Sequence, residues 1–304
     1  MASIKNKGHG HKCFYKYTSA EVAKIALDNR TIRWSSPIKF KDNDPFDVPK
    51  ELILGFQEEE LLEALVDEIA RIVENPEGKL LQRKPKLDAL VQNLRAIDHE
   101  ELRKHIISEI RRLAPKNADP FFKKPLYEFL NYWKRLIPRM RIISLSEVND
   151  SMPMWCHYAD KHGGVVLVLD CIEEIESPWL IARPVIYQDD PPLLAKETLI
   201  RSITGQQPLD YEQFCLDCMH IKKTDWAYEK EWRVVTIARA GEDGLYSDWA
   251  IHPRNFRSIY LGHEISEENE KDILAIIDYK LSHMSVYKSI YNSRECQLQF
   301  NKIR

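Results

Sequence analysis

The segment CFYKYTSAEVAKIALDNRTIRWSSP, Cys13 to Pro37, decides how the chain begins to fold. Cys13-Phe14-Tyr15-Lys16-Tyr17 has the short, aromatic make-up of a strand. Thr18, followed three residues later by Glu21, is a capping-box pattern that opens a helix running through Leu27. Thr31 to Ser35 is β-like again and stops at Ser36-Pro37. A strand, a helix and a second strand therefore start the fold.

Working outward, β signals return after Pro138. They cover Arg141 to Ser146, the apolar run Val165 to Leu169, Ile181 to Tyr187, Glu231 to Ile237, Ser258 to Leu261, Val286 to Ile290 and Cys296 to Phe300. Ser266, with Glu267 and Glu268 behind it, caps a helix through Leu281 that joins the strands near Tyr260 and Tyr287, which predicts a parallel crossover. The mixed order predicts an α+β fold with a mixed, largely antiparallel central sheet and flanking helices, not a doubly wound one.

From about 57 to 137 the period changes to that of helices. Leu61, Leu62, Leu65, Val66, Ile69, Ile72 and Val73 recur at helical spacing, then Leu87, Leu90, Val91 and Leu94, then Leu102, Ile106, Ile110 and Leu113. Asn75 to Gly78 and Ala114-Pro115 mark turns, and Phe121 to Ile137 is an aromatic-rich helix expected to dock the insertion on the main body. The expected organisation is a loose, polar N-terminus over residues 1–12 and one α+β domain over 13–304 carrying this helical insertion.

Composition bounds the partners. The 304 residues are 44% hydrophobic and 30% charged, a globular mixture. A net charge of -3 offers no global field for a nucleic-acid backbone. No run of about eighteen apolar residues predicts a membrane span. Six scattered cysteines and a polar start, IKNKGHGHKC, predict reduced thiols and a cytoplasmic protein.

Three stretches concentrate chemistry. Asn43-Asp44-Pro45-Phe46-Asp47 reads as an Asx turn ahead of a rigid proline, or as a loop that orients a ligand hydroxyl or a hard cation. Met154-Trp155-Cys156-His157-Tyr158-Ala159-Asp160 reads as a short helix packed on the sheet and ended by Gly163-Gly164, with His157 and Tyr158 able to reach a cleft. Lys223 to Arg233 is the densest. An extended Glu229 to Val235 would place Glu229, Glu231, Arg233 and Val235 on one face and Trp232 and Val234 on the other. The plain alternative is a surface strand with Glu231 and Arg233 paired. Cys215-x-x-Cys218 has no second pair and reads as core packing, and His9, His11 and Cys13 alternate in a mobile tail; no metal site is expected. P-loop, GxGxxG and GxSxG motifs are absent.

Tyr15-Lys16-Tyr17, Asn43 to Asp47, Met154 to Gly163 and Trp226 to Arg233 together resemble a bacterial family of unknown function marked by YKY, NDPFD, MWxHYADxHxG and WxYExEWR. More distantly, the aromatic strand, helix and Ser35-Ser36-Pro37 step resemble the start of ADP-ribosyltransferase-like domains. That likeness implies an NAD-consuming transferase or NAD glycohydrolase, a bacterial toxin or phage-defence effector, with NAD as substrate and a macromolecular acceptor. It implies that Glu231, or Glu229, binds a ribose hydroxyl and stabilises an oxocarbenium-like transition state, with Lys16 or Ser35 on a ribose or phosphate. It also implies that Tyr15 and Tyr17 flank the nicotinamide, with Asn43, Asp44, Tyr158, Trp226 and Arg233 completing the site. The His or Arg usual on the first strand of such domains is replaced by Tyr-Lys-Tyr, and only part of the usual Ser-Thr-Ser step remains. Two alternatives stay open. One is a non-enzymatic module of a defence system that binds a partner protein; the other is a metal-dependent nuclease using Asp44, Asp47, Glu229 and Glu231.

Overall fold

The computed structural model describes residues 8–40, 47–75, 85–117, 120–292 and 297–304. The chain divides into two compact units. The first comprises Met1–Val48, Ile137–Asp190 and Met219–Arg304, the second Pro49–Leu136 and Pro191–Cys218.

Along the chain, β1 (Cys13–Thr18) leads into α1 (Ala20–Asn29) and β2 (Thr31–Ser35). The cap of α1 is Ser19, whose hydroxyl accepts from the Val22 amide, and not Thr18. Thr18 is held in the ladder opposite Val165, so the helix starts one residue later than the capping-box reading places it. The second unit supplies β3 (Ile53–Leu54), α2 (Glu58–Glu74), α3 (Pro85–Arg95), α4 (Glu100–Asn117) and α5 (Pro120–Leu136). The first unit resumes with β4 (Met140–Ser146), α6 (Met152–Tyr158), β5 (Val165–Asp170) and the short bridges β6 (Arg183–Pro184) and β7 (Ile186–Tyr187). After β8 (Leu193–Leu194), α7 (Lys196–Ile203) and α8 (Tyr211–Cys218) come β9 (Ile221–Lys222), β10 (Glu231–Ile237), β11 (Tyr246–Ala250), β12 (Phe256–Leu261), α9 (Glu267–Lys280), β13 (Ser285–Asn292) and β14 (Gln297–Lys302).

The first unit is built on one sheet in the order β11-β2-β4-β1-β5-β12-β13-β14, with β10 on β4 and β6 on β10. Its ladders are antiparallel except β12–β13, which run parallel with Tyr260 opposite Tyr287, the pair joined by α9. The fold is thus α+β with a mixed, largely antiparallel sheet. Residues Ile181 to Tyr187, read as one strand, form the end of a 3-10 turn and two bridges parted at Val185, where the segment changes partner from β10 to β9. Strand β11 was not foreseen, because its polar SDW carries no run of apolar alternation.

Two cores flank the sheet. On one face, Ala20, Ala23 and Leu27 of α1 and Ile273 and Ile277 of α9 pack over Phe14, Ile143, Leu145, Leu167 and Val234. On the other, Met154 and Trp155 of α6 pack over Tyr17 and Val166, beside Tyr15, Tyr158 and Tyr260. Gly164 and Gly262 let these layers close: a Cβ on Gly164 would meet the Thr18 carbonyl oxygen, and one on Gly262 the carbonyl oxygen of His162. The N-terminal tail is not loose from residue 8 on. Gly8 donates to Leu180 O, His9 meets Trp179 O at 2.8 Å, and both His9 and His11 lie against Phe14 and Trp232. Rings that bury against rings outweigh the polar composition that suggested a free tail.

In the second unit α2 buries the seven apolar residues its spacing marks. The register of α4 differs: Ile107 is buried, while Leu102 and Leu113 face solvent. Helix α4 also continues through Ala114-Pro115 to Asn117, so the turn expected there is absent. Trp133 of α5 donates to Pro49 O at 3.1 Å, and buried Cys215 and Cys218 pack in α8, as their apolar surroundings require.

Candidate active site

Strand β4 has β10 along its whole length, from Glu231 opposite Ser146 to Ile237 opposite Met140. Its other edge is shared. Strand β1 pairs at Tyr15 and Ser146, β2 at Ser35 and Ile142, and between those points the ladder is open. Lys16 fills the gap with its ammonium, Nζ donating to Ser144 O at 2.9 Å. A cavity of about 300 Å³ lies at this split. Its walls include Tyr15, Lys16 and Tyr17 of β1, Ser35 of β2, Ser144 of β4, Tyr158 of α6, and Asp47, Lys222, Glu229 and Glu231.

The floor is ionic and closed to water. Lys222, its side chain 3% exposed, has Nζ 2.7 Å from Glu229 Oε2, 3.3 Å from Glu231 Oε2 and 3.5 Å from Asp47 Oδ2. Arg233 forks onto Glu231, with Nε to Oε1 at 2.7 Å and Nη2 to Oε2 at 2.9 Å. The same Nη2 reaches Asp47 Oδ1 at 2.7 Å, and Nη1 donates to Met219 O. Tyr158 OH donates to Glu229 Oε1 at 2.6 Å, and the Glu231 amide donates to Tyr187 OH. Buried charges persist when every one is paired and hydrogen-bonded, which this network achieves.

The two glutamates are pushed in opposite directions. Burial raises the Glu229 carboxyl, and the charge of Glu231 adds to it, so that it titrates at about 7 despite Lys222. Burial would raise Glu231 too, but Arg233 and then Lys222 outweigh it and hold that carboxyl far below its ordinary range. Burial likewise raises Asp47 more than Arg233 lowers it. Burial alone would lower the Lys222 ammonium, yet Glu231, Asp47 and Glu229 hold it above its ordinary value. Lys16 is pulled down by burial, against the pull of Glu231 and Glu229. One carboxylate is thus a permanent anion and its neighbour an acid or base near neutrality, the division of labour that carboxylate pairs use in catalysis.

Local backbone strain makes this convergence possible. Glu229 is not in the strand; it ends a 3-10 turn over Thr224–Glu229. Lys230 then takes φ 43° and ψ 52°, a left-handed kink that a non-glycine residue adopts at a cost, and β10 begins at Glu231. The kink sends Lys230 outward and turns both glutamates to Lys222. Ser146 Oγ braces it by donating to Glu229 O, and the Glu147 amide donates to Lys230 O. Val48, buried and at φ 52°, imposes a similar strained step just after Asp47.

The structure gathers Tyr15, Lys16, Tyr17, Ser35, Tyr158, Glu229 and Glu231 around one cavity. Arg233 stands behind it as the partner of Glu231, at 1% exposure, so the picture of a surface ion pair on β10 does not hold. Trp226 does not line the cavity; its ring lies 4.8 Å from Lys222 Nζ. Asn43 and Asp44 lie outside the described residues. Lys222, Tyr187 and Ser144 are site residues that the sequence reading passed over. Lys222 borders the dense segment at Lys223, but nothing in the local pattern marks a lysine that folds back onto Glu229. Among the described residues no group of three or more His, Cys, Asp or Glu side chains is placed to hold a metal ion, and no helix is long and apolar enough to cross a membrane.

Fold and site together define an α+β protein with a charge-compensated carboxylate cluster at a break in its sheet. Residues 154–234 match the family described as a protein of unknown function, DUF2971. That span holds Tyr158, Lys222, Glu229, Glu231 and Arg233. No curated protein and no solved structure matches the chain.

Proposed function

We propose that the cavity binds NAD and cleaves the bond between its ribose and nicotinamide, passing ADP-ribose to water or to a macromolecular acceptor. The observation that carries this reading is the pair Glu229 and Glu231, which share Lys222 and differ in proton affinity. Loss of nicotinamide leaves an oxocarbenium-like ribose, and the fixed anion of Glu231 is suited to stabilise that charge in a site shielded from water. Glu229, titrating near neutrality and held by Tyr158, is suited to take the proton of the attacking hydroxyl. With water as acceptor the balance is NAD⁺ and water giving ADP-ribose, nicotinamide and a proton, the last leaving through Glu229. Tyr15 and Tyr17 offer aromatic walls for a flat heterocycle. At about 300 Å³ the cavity is at the lower end for ligand sites and suits the nicotinamide-riboside half of the dinucleotide.

Nicotinamide release from NAD, followed by chromatography, tests this. The purified protein releases it, and Glu231→Gln, checked for native circular dichroism, loses about a hundredfold or more of the rate. A folded protein that neither binds nor cleaves NAD, with or without an acceptor lysate, overturns the reading.

A further inference from the structure

We propose that Cys156 and His162 form a reactive thiol–imidazole pair, a modification site for peroxides and soft electrophiles on the helix that also carries Tyr158. Helix α6 buries Met154 and Trp155, which leaves Cys156 on its outer side. Of the five described cysteines Cys156 alone is exposed; Cys13 and Cys171 are half-buried and Cys215 and Cys218 buried. Its Sγ lies 3.5 Å from His162 Nε2.

The imidazole is held unusually firmly. Asp160, Lys161 and His162 follow one another at φ 47°, 50° and 69°, a run of left-handed non-glycine residues that the surrounding structure must impose. The amides of Gly163 and Gly164 donate back to Asp160 O and Ala159 O, and the Glu264 amide donates to His162 O at 3.1 Å. The ring lies parallel to Trp155, with 4° between planes, and its centroid is 4.5 Å from that of His263. The titratable groups facing it are Cys156 from α6 and His263 and Glu264 from the turn after β12.

Geometry then assigns the proton. His162 is 7% exposed, and its Nδ1 is buried with no hydrogen-bond partner among the described residues. A buried N–H without an acceptor is costlier than an unused lone pair, so the proton belongs on Nε2. That N–H points at Cys156 Sγ, which accepts it, so the sulfur is held beside the imidazole in position to react. With hydrogen peroxide the thiolate sulfur attacks one oxygen as the O–O bond breaks, giving sulfenic acid and hydroxide, which takes up the proton the thiol released and leaves as water. With iodoacetamide an S–C bond forms as iodide and the thiol proton leave.

Limited labelling of the folded full-length protein tests the pair, by iodoacetamide or by hydrogen peroxide followed by dimedone, with peptide mapping by mass spectrometry. Cys156 is expected to react about tenfold faster at pH 7 than the cysteine of a short peptide of the same local sequence, and ahead of Cys13, Cys171, Cys215 and Cys218. His162→Phe keeps a ring against Trp155 and removes the donor; in the folded variant the rate falls to that of the peptide. Equal rates for Cys156 and the peptide overturn the proposal, since exposure alone would explain them, and they do so even if His162→Phe fails to fold. A folded His162→Phe that labels as fast as the parent overturns it too.

Discussion

Glu231 and Arg233, two residues apart on β10 and both buried, meet through two hydrogen bonds, Nε to Oε1 at 2.7 Å and Nη2 to Oε2 at 2.9 Å. The alternation of a strand puts them on one face, and Asp47 closes the fork from the other side at 2.7 Å. Removing the guanidinium leaves two carboxylates short of a counter-charge inside the protein. Arg233→Met is therefore expected to lose roughly 3–5 kcal/mol of stability, read from the urea midpoint at pH 7. A variant within 1 kcal/mol of the parent would mean that the cluster is less closed than described.

Glu229 gives stability a pH dependence of known sign. Its ordinary value of 4.5 is raised to about 7 in the fold. Between those values the unfolded chain has lost the proton while the folded chain keeps it, so raising the pH favours unfolding. The contribution is complete below pH 4.5 and lost as the pH passes 7, an effect of about 3 kcal/mol. Glu231, held below its ordinary value, runs the other way: its contribution is present above pH 4.5 and lost as the pH falls below that. Urea titrations of the parent should show stability declining from pH 4.5 to 7, and those of Glu229→Gln should decline less, keeping only the share due to Asp47. An equal slope in both assigns the proton elsewhere.

Tyr158 lowers the Glu229 carboxyl through the bond of its hydroxyl at 2.6 Å. Tyr158→Phe should move the pH midpoint of nicotinamide release upward by about one to two units, since a hydrogen bond to a charged acceptor is worth roughly 1.5–3 kcal/mol. An unchanged midpoint with a changed rate would make Tyr158 a substrate contact instead.

Gly262 has no room for a side chain because the His162 carbonyl oxygen occupies the space a Cβ would need. Backbone cannot yield as a flexible side chain can, so Gly262→Ala should cost roughly 3 kcal/mol or more, seen as a lowered Tm or insoluble expression. Gly10→Ala, with no atom within 4 Å of the added Cβ, is the neutral control.

Much of the fold was legible because its signals are periodic. The seven buried positions of α2, the strand β10 with Trp232 and Val234 turned away from Glu231, and the parallel pair at Tyr260 and Tyr287 all follow from spacing. What spacing could not supply is long-range geometry. Glu229 was placed in a strand because nothing in Glu-Lys-Glu announces a left-handed Lys230, and the result is better convergence than a straight strand allows. Lys16, read as a ligand contact, also serves as a strut where β1 and β2 part from β4, and that parting is visible only in the ladder. Lys222 was missed because a lysine's three neighbours at a buried site come from Asp47, Glu229 and Glu231, one of them 175 residues away in the chain.

Two carboxylates at one lysine with opposite proton affinities carry the proposed chemistry, and carbon-13 NMR of the glutamate carboxyls, assigned with Glu229→Gln and Glu231→Gln, measures them directly. Glu229 should titrate with a midpoint near 7, and Glu231 should remain ionised down to pH 4. Both groups titrating together near 4.5 would contradict the account, because the pair would then have neither a standing anion nor a base tuned to neutrality.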